Sequence, residues 1–191
     1  MRKIPTFFWE YKKHTPPVID LETYRLHIKG DIKNPQILSL AELDKFIPSV
    51  ELTRRFYCVN GWSLASLWKG YKLTALLDAI EPNADSHYLK VTSCGGYEDI
   101  TKISKLVRGD AMLVTHMDGE PLNPKRGSPI RLMLFDMYQF KGVKQIQSIE
   151  VVKAYKPGTW QKVGYSDATI QPYPHLQIDS NEQAMPDESV L

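Results

Sequence analysis

Every helical period in this chain is cut short. "SLAELDKFIP" runs into Pro48, "KLTALLDAIEP" into Pro82, and "TKISKLVRGD" stops near Gly109. Proline has no N–H for the helical ladder and glycine favours helix ends, so none of the three can grow long. The first opens with Ser39 and Glu42 at capping-box spacing. The second places Leu73, Leu76, Leu77 and Ile80 on one face, ready to pack on a sheet. Around them lie extended runs: "TYRLHIKG" (23–30), "SVELTRRFYCV" (49–59), "SHYLKVTSC" (86–94), "PIRLMLF" (129–135) and "KQIQSIEVVKAY" (144–155). "AMLVTHMDGEPL" carries Asp118-Gly119, a pair that favours a tight hairpin. Short helices scattered among many short strands predict a β-rich α+β domain rather than an alternating α/β wind.

The chain has 191 residues, enough to bury a core as one unit, and shows no internal repeat or splitting linker. Apolar periodicity stops after about Gln171, so residues 1–171 are expected to form the domain and the acidic, polar segment 172–191 a mobile tail. A net charge of +2 gives no nucleic-acid footprint. No apolar run reaches the roughly 20 residues of a membrane helix, and "MRKIPTFFWEYKKHTPP" lacks a signal peptide's apolar segment. A cytoplasmic location is expected for the chain as written, or a periplasmic one if it is the mature form of an exported protein. Two cysteines, Cys58 and Cys94, make no disulfide framework, although a single bridge between them stays open.

Common catalytic signatures are absent: no paired His or Cys-x-x-Cys spacing for zinc, no GxGxxG, no phosphate-binding Walker loop and no GxSxG. Attention falls on "RRFYCVNGWS" (54–63), where one cysteine stands between a strand-like run and a turn. In an extended strand Arg54 and Phe56 share a side with Cys58, so Arg54 would help to hold a thiolate. Such a thiolate suits a soft metal, or nucleophilic attack with a distant histidine as base; the residues alone leave both open. A second cluster lies in "DGEPLNPKRGSPIRLMLFDMYQFKGVKQI" (118–146), where Lys125, Arg126, Arg131, Lys141 and Lys144 gather around Gly127 and Gly142. Basic side chains beside glycines, whose backbone a ligand can approach closely, make a charge-assisted anion site.

Together, "CVNGWS", "GEPLNPKRGSPIRL" and "YQFKGVKQIQSIE" resemble, in order and spacing, the molybdopterin-binding domain of the sulfite oxidase family, over about residues 6–165. Within that family the chain most resembles the branch of the bacterial molybdenum-containing protein-methionine-sulfoxide reductase catalytic subunits. The resemblance implies a molybdenum–molybdopterin cofactor with Cys58 as the protein's thiolate ligand to the metal and the residue at the centre of catalysis. It places Trp9, Glu10, Ser93, Arg131, Gly142, Val143 and Lys144 where the family binds the pterin and its phosphate, with Arg126 near the cofactor. Three positions depart from close relatives: Thr6 replaces an asparagine, Ser93 a threonine, and Arg126 an asparagine or histidine. The first two keep a hydrogen-bonding group, whereas Arg126 adds a permanent positive charge.

The implied function is oxygen-atom transfer, with reduction of an S-oxide, free or protein-bound, as the expected direction. Sulfite oxidation by the same fold, or a cofactor-free binding or scaffold module, are the alternatives. With no haem or flavin motif legible, electrons are expected from a separate haem or flavin protein. With no immunoglobulin-like dimerisation domain, a monomer is expected. Bland readings cover the rest: Cys94 as a small buried residue, Trp62, Trp68 and Trp160 as core or pocket wall, Tyr165 as a hydrogen-bond donor or surface tyrosine, and Lys141 as a solvated charge.

Overall fold

The computed structural model describes residues 18–58 and 63–164. The first sheet is mixed, with order β2 (Gln36–Leu38), β1 (Leu26–Gly30), β10 (Ile146–Val152), β5 (Tyr88–Ser93), β6 (Glu98–Lys102). β1 and β10 run parallel, with His27 opposite Ser148 and Val151 opposite Gly30, while β10 pairs antiparallel with β5. The second sheet is antiparallel: β3 (Ser49–Tyr57), β4 (Ser63–Lys72), β7 (Met112–Met117) and β8 (Glu120–Pro121), with β9 (Arg131–Met133) also on β7. The helices are α1 (Leu40–Phe46), α2 (Leu73–Ile80) and α3 (Ile103–Arg108). This is the β-rich α+β architecture that the sequence predicts.

The local signals act as expected. Ser39 Oγ accepts from the Glu42 N–H, and the Glu42 carboxylate accepts from the Ser39 N–H, closing the capping box that starts α1. Leu73, Leu76, Leu77 and Ile80 of α2 are all buried. Asp118 (φ 53°) and Gly119 (φ 84°) form the tight β7–β8 turn, whose positive φ at both positions matches the right-handed strand twist.

Two apolar clusters share the second sheet. β7 turns Leu113 toward the larger one, which contains Leu26, Ile28, Leu76, Leu89 and Ile149. Its neighbours Met112 and Val114 face a smaller cluster around Phe56, Trp68 and Met133. A strand buried on both faces is thereby fixed in register, because a one-residue slip would exchange the two sets. Phe56 meets Trp68 edge-on, with ring centroids 5.7 Å apart, and the Trp68 indole N–H donates to the Arg54 carbonyl.

The two sheets are stitched where β9 approaches the segment leading into β10. The Leu132 N–H donates to the Val143 carbonyl at 2.8 Å, and the Ile146 N–H to the Ile130 carbonyl at 3.0 Å. The tail expected at 172–191 lies outside the described residues, and no disulfide joins Cys58 to Cys94. Among the described residues, no helix is long and apolar enough to cross a membrane.

Since Leu76 is wholly buried, Leu76→Ala is expected to destabilise the domain by about 2–5 kcal/mol, against within about 0.5 kcal/mol for exposed Leu21→Ala. Denaturant unfolding of the two variants measures the difference.

Candidate functional site

Cys58 follows directly on the last residue of β3. Tyr57 bridges to Tyr138, so the thiol is delivered beside the segment that continues into Gln139. Arg131, on β9, points into the interior and is 2% exposed. Its guanidinium donates to the Arg126 carbonyl at 3.1 Å and to Gln139 Oε1 at 3.3 Å. Lys144 lies two residues ahead of β10 of the other sheet, and its ammonium donates to the Lys125 carbonyl at 3.0 Å. The 3-10 turn Pro124–Arg126 therefore offers two successive carbonyls to two cations, and Asn123 caps that turn through its side chain.

Electrostatics tie these groups together. Burial pulls the Arg131 guanidinium down to about 10, and a charged Cys58 opposes that fall. Burial also drives Lys144 well below the ordinary lysine range, and repulsion from Arg131 adds to the effect while Cys58 again works against it. One thiol and two desolvated cations thus share one neighbourhood, with Cys58 acting on both cations and Arg131 on Lys144. A phosphate or a metal-bound thiolate relieves the strain between the cations, so the donor set fits a cofactor that brings both.

Glycines shape the approach. Gly127 (φ 108°) sits where a Cβ would lie 3.0 Å from the Lys144 side chain and 3.1 Å from Arg131 Cβ, so the two basic residues flank its bare backbone. At Gly142 a Cβ would meet Gln139 Oε1 at 2.5 Å and the Leu132 carbonyl at 2.8 Å. Val143 is fully buried and its carbonyl is used by Leu132, which leaves its N–H as the group it could turn to a ligand.

The remaining expected site residues divide. Ser93 is buried at the end of β5, where its hydroxyl accepts from the Tyr97 N–H at 2.9 Å; the next residue, Cys94, donates its N–H to the Gln145 carbonyl at 2.8 Å. The Ser93 turn thus abuts the chain beside Lys144. Burial raises the Cys94 thiol above its usual range. Arg126 is partly exposed and contributes its backbone carbonyl. Trp9 and Glu10, with Thr6, Trp62 and Tyr165, lie outside the described residues.

Arg54 bonds Asp110 at 3.2 Å, and Lys72 shares that carboxylate at 3.1 Å. One expectation is corrected. Lys141 is not solvated; it is 3% exposed and ion-paired with the equally buried Asp99 at 2.9 Å. Reasoning from sequence also missed Gln139, whose amide bonds the Leu134 carbonyl while its oxygen holds Arg131. No spacing rule marks a buried glutamine eight residues from the arginine it positions.

Among the described residues no group of three or more His, Cys, Asp and Glu side chains converges as a metal cage. Gly127→Ala is expected to lower cofactor retention, because its methyl would push on both basic side chains. Gly96→Ala, at φ 80° with nothing within 4 Å, carries only backbone strain of about 1 kcal/mol. Pterin and molybdenum per chain after purification distinguish them; equal retention would remove Gly127 from the cradle.

Comparison with known proteins identifies the family and the fold. The profile of the oxidoreductase molybdopterin binding domain matches residues 13–160. The protein-methionine-sulfoxide reductase catalytic subunit MsrP of Campylobacter jejuni is 27% identical over 190 residues, covering 87% of this chain and 63% of that protein. The uncharacterized oxidoreductase YuiH of Bacillus subtilis is 26% identical over 147 residues, covering 76% of this chain and 74% of that protein. The sulfane dehydrogenase SoxCD of Paracoccus pantotrophus shares the fold, with a TM-score of 0.66 at 18% identity over 75% of this chain and 41% of that one. The chain spans less than two thirds of the length of the Campylobacter relative. With the family profile covering most of the chain, and a thiol, a buried arginine and a lysine converging as described, this protein belongs to the oxidoreductase molybdopterin-binding domain family, with the sulfite oxidase-like fold.

Proposed function

We propose that this domain reduces an S-oxide, with methionine sulfoxide as the representative substrate, using electrons from a separate haem or flavin protein. The observation that carries this reading is the meeting of Cys58 with Arg131 and Lys144 in a chain related to a methionine-sulfoxide reductase subunit. When bound, the cofactor supplies a molybdenum centre that exchanges one oxygen atom with the substrate in a two-electron reaction. Cys58 provides the protein's thiolate to that metal, a soft donor for a soft site. Arg131 and Lys144 hold the pterin's phosphate through charge-assisted hydrogen bonds, with Gly127 leaving room for both side chains and Gly142 for Gln139 beneath Arg131. Trp9, Glu10, Ser93 and the Val143 N–H complete the pterin contacts in this reading, and Arg126 borders the substrate side. Residues 1–171 act as one catalytic unit.

The direction of the reaction turns on charge. Sulfite is an anion and needs positive charge near the reacting centre, whereas a sulfoxide is neutral and needs only a hydrogen-bond donor. Arg54 and Arg126 are the cations that would serve sulfite, and Arg54 shares the Asp110 carboxylate with Lys72. Relation to a methionine-sulfoxide reductase subunit favours S-oxide reduction.

Two assays of the molybdenum-loaded protein decide it: methionine sulfoxide with an artificial electron donor, and sulfite with an artificial acceptor, each at several ionic strengths. Sulfoxide turnover nearly independent of salt is expected, and its loss in Cys58→Ser with the fold retained. Salt-sensitive sulfite oxidation without sulfoxide turnover would reverse the choice.

A further inference from the structure

The Asp99–Lys141 pair is buried at both ends and lies outside the machinery described so far. Asp99 belongs to β6, which among the described residues is an edge strand of its sheet. Its Oδ1 accepts from the Lys141 ammonium at 2.9 Å and from the Gln161 amide at 3.3 Å, while its Oδ2 accepts from the Thr101 hydroxyl at 2.7 Å. Lys141 ends the 3-10 turn Gln139–Lys141, and the next residue is Gly142. Every residue of that turn is tied down. Gln139 bonds the Leu134 carbonyl and Arg131, the Phe140 carbonyl accepts from the Tyr97 hydroxyl, and Lys141 is held by Asp99.

A buried ion pair is weak evidence for stability, since apolar residues of similar volume commonly do as well. Its value here lies in direction, because a charge pair with both partners hydrogen-bonded accepts one geometry where an apolar contact accepts several. The turn it fixes faces two ways: through Gln139 it orients Arg131, and through its C-terminal end it sets where Gly142, Val143 and Lys144 begin.

We propose that Asp99 and Lys141 are positioning residues that clamp the cofactor-binding turn to the edge strand of the first sheet, so that Arg131 and the 142–144 backbone stand ready for the pterin and its phosphate. The proposal rests on the cofactor role given above to Arg131 and Gly142–Lys144. Neither Asp99 nor Lys141 is assigned any contact with the cofactor. Their effect passes through Gln139 and the backbone.

The test compares wild type with the charge-neutral double variant Asp99→Asn/Lys141→Met, which leaves no uncompensated buried charge. Leu43→Ala in α1 is the control, with comparisons made at temperatures equally far below each protein's Tm. Hydrogen exchange of the Lys141 and Gly142 amides, which donate to the Tyr138 and Gln139 carbonyls, reads the turn without any cofactor. The rate of pterin release from the loaded protein reads the consequence. In the double variant both are expected to quicken by about tenfold or more, with Leu43→Ala near wild type and the single variant Lys141→Arg, which keeps the charge pair, releasing nearly as slowly as wild type. Should the double variant fail to fold, Thr101→Val, which removes only the hydroxyl that orients Asp99, carries the same comparison at smaller amplitude. Exchange and release indistinguishable from the control would overturn the clamp while leaving the cofactor role of Arg131 intact. A wild-type chain that never acquires pterin in a cofactor-producing host would overturn both.

Discussion

Burying Arg131 beside a second cation is the constraint around which the structure is arranged. A guanidinium that is 2% exposed loses most of its hydration, and its charge helps to pull the nearby Lys144 well below the ordinary lysine range. The fold answers with oriented groups: the Arg126 and Lys125 carbonyls, the Gln139 side chain, and the charge of Cys58. They come from three stretches of chain: the Pro124–Arg126 turn, Gln139 and the end of β3. The site therefore exists only when β3, β9 and the approach to β10 are in register, which binds the chemistry to the sheet topology.

That topology explains why the cluster lies between the sheets. Ile130 and Leu132, at the start of β9, bond the backbone of Ile146 and Val143, so the second sheet and the first are brought side by side at the seam. Ser93 and Cys94 join through the Gln145 carbonyl. Away from the seam, the apolar clusters on either side of β7 make the scaffold stiff, and a stiff scaffold is what holds charged groups in costly positions.

Much of this was legible in the sequence wherever local rules governed. The capping box at Ser39, the apolar face of α2 and the Asp118-Gly119 turn each acted through neighbours in the chain. β4 was not legible: "SLASLWKGYK" is buried or half-buried along nearly its whole length and so shows little alternation. β6 was hidden for another reason, since Asp99 and Thr101 turn inward as polar residues and mask the strand pattern. At the site, Cys58, Arg131 and Lys144 stood out by residue type and by family resemblance. The fate of a charge did not, because Arg54 and Lys141 look alike in sequence and only tertiary pairing sends one to a surface carboxylate and the other to a buried one.

The central claim is that Cys58 joins the metal while Arg131 and Lys144 retain the pterin. X-ray absorption at the molybdenum edge, on wild type and Cys58→Ser loaded in the same host, measures it most directly. The account predicts one sulfur neighbour fewer in Cys58→Ser, with pterin still bound. An identical sulfur shell in the two proteins would contradict it.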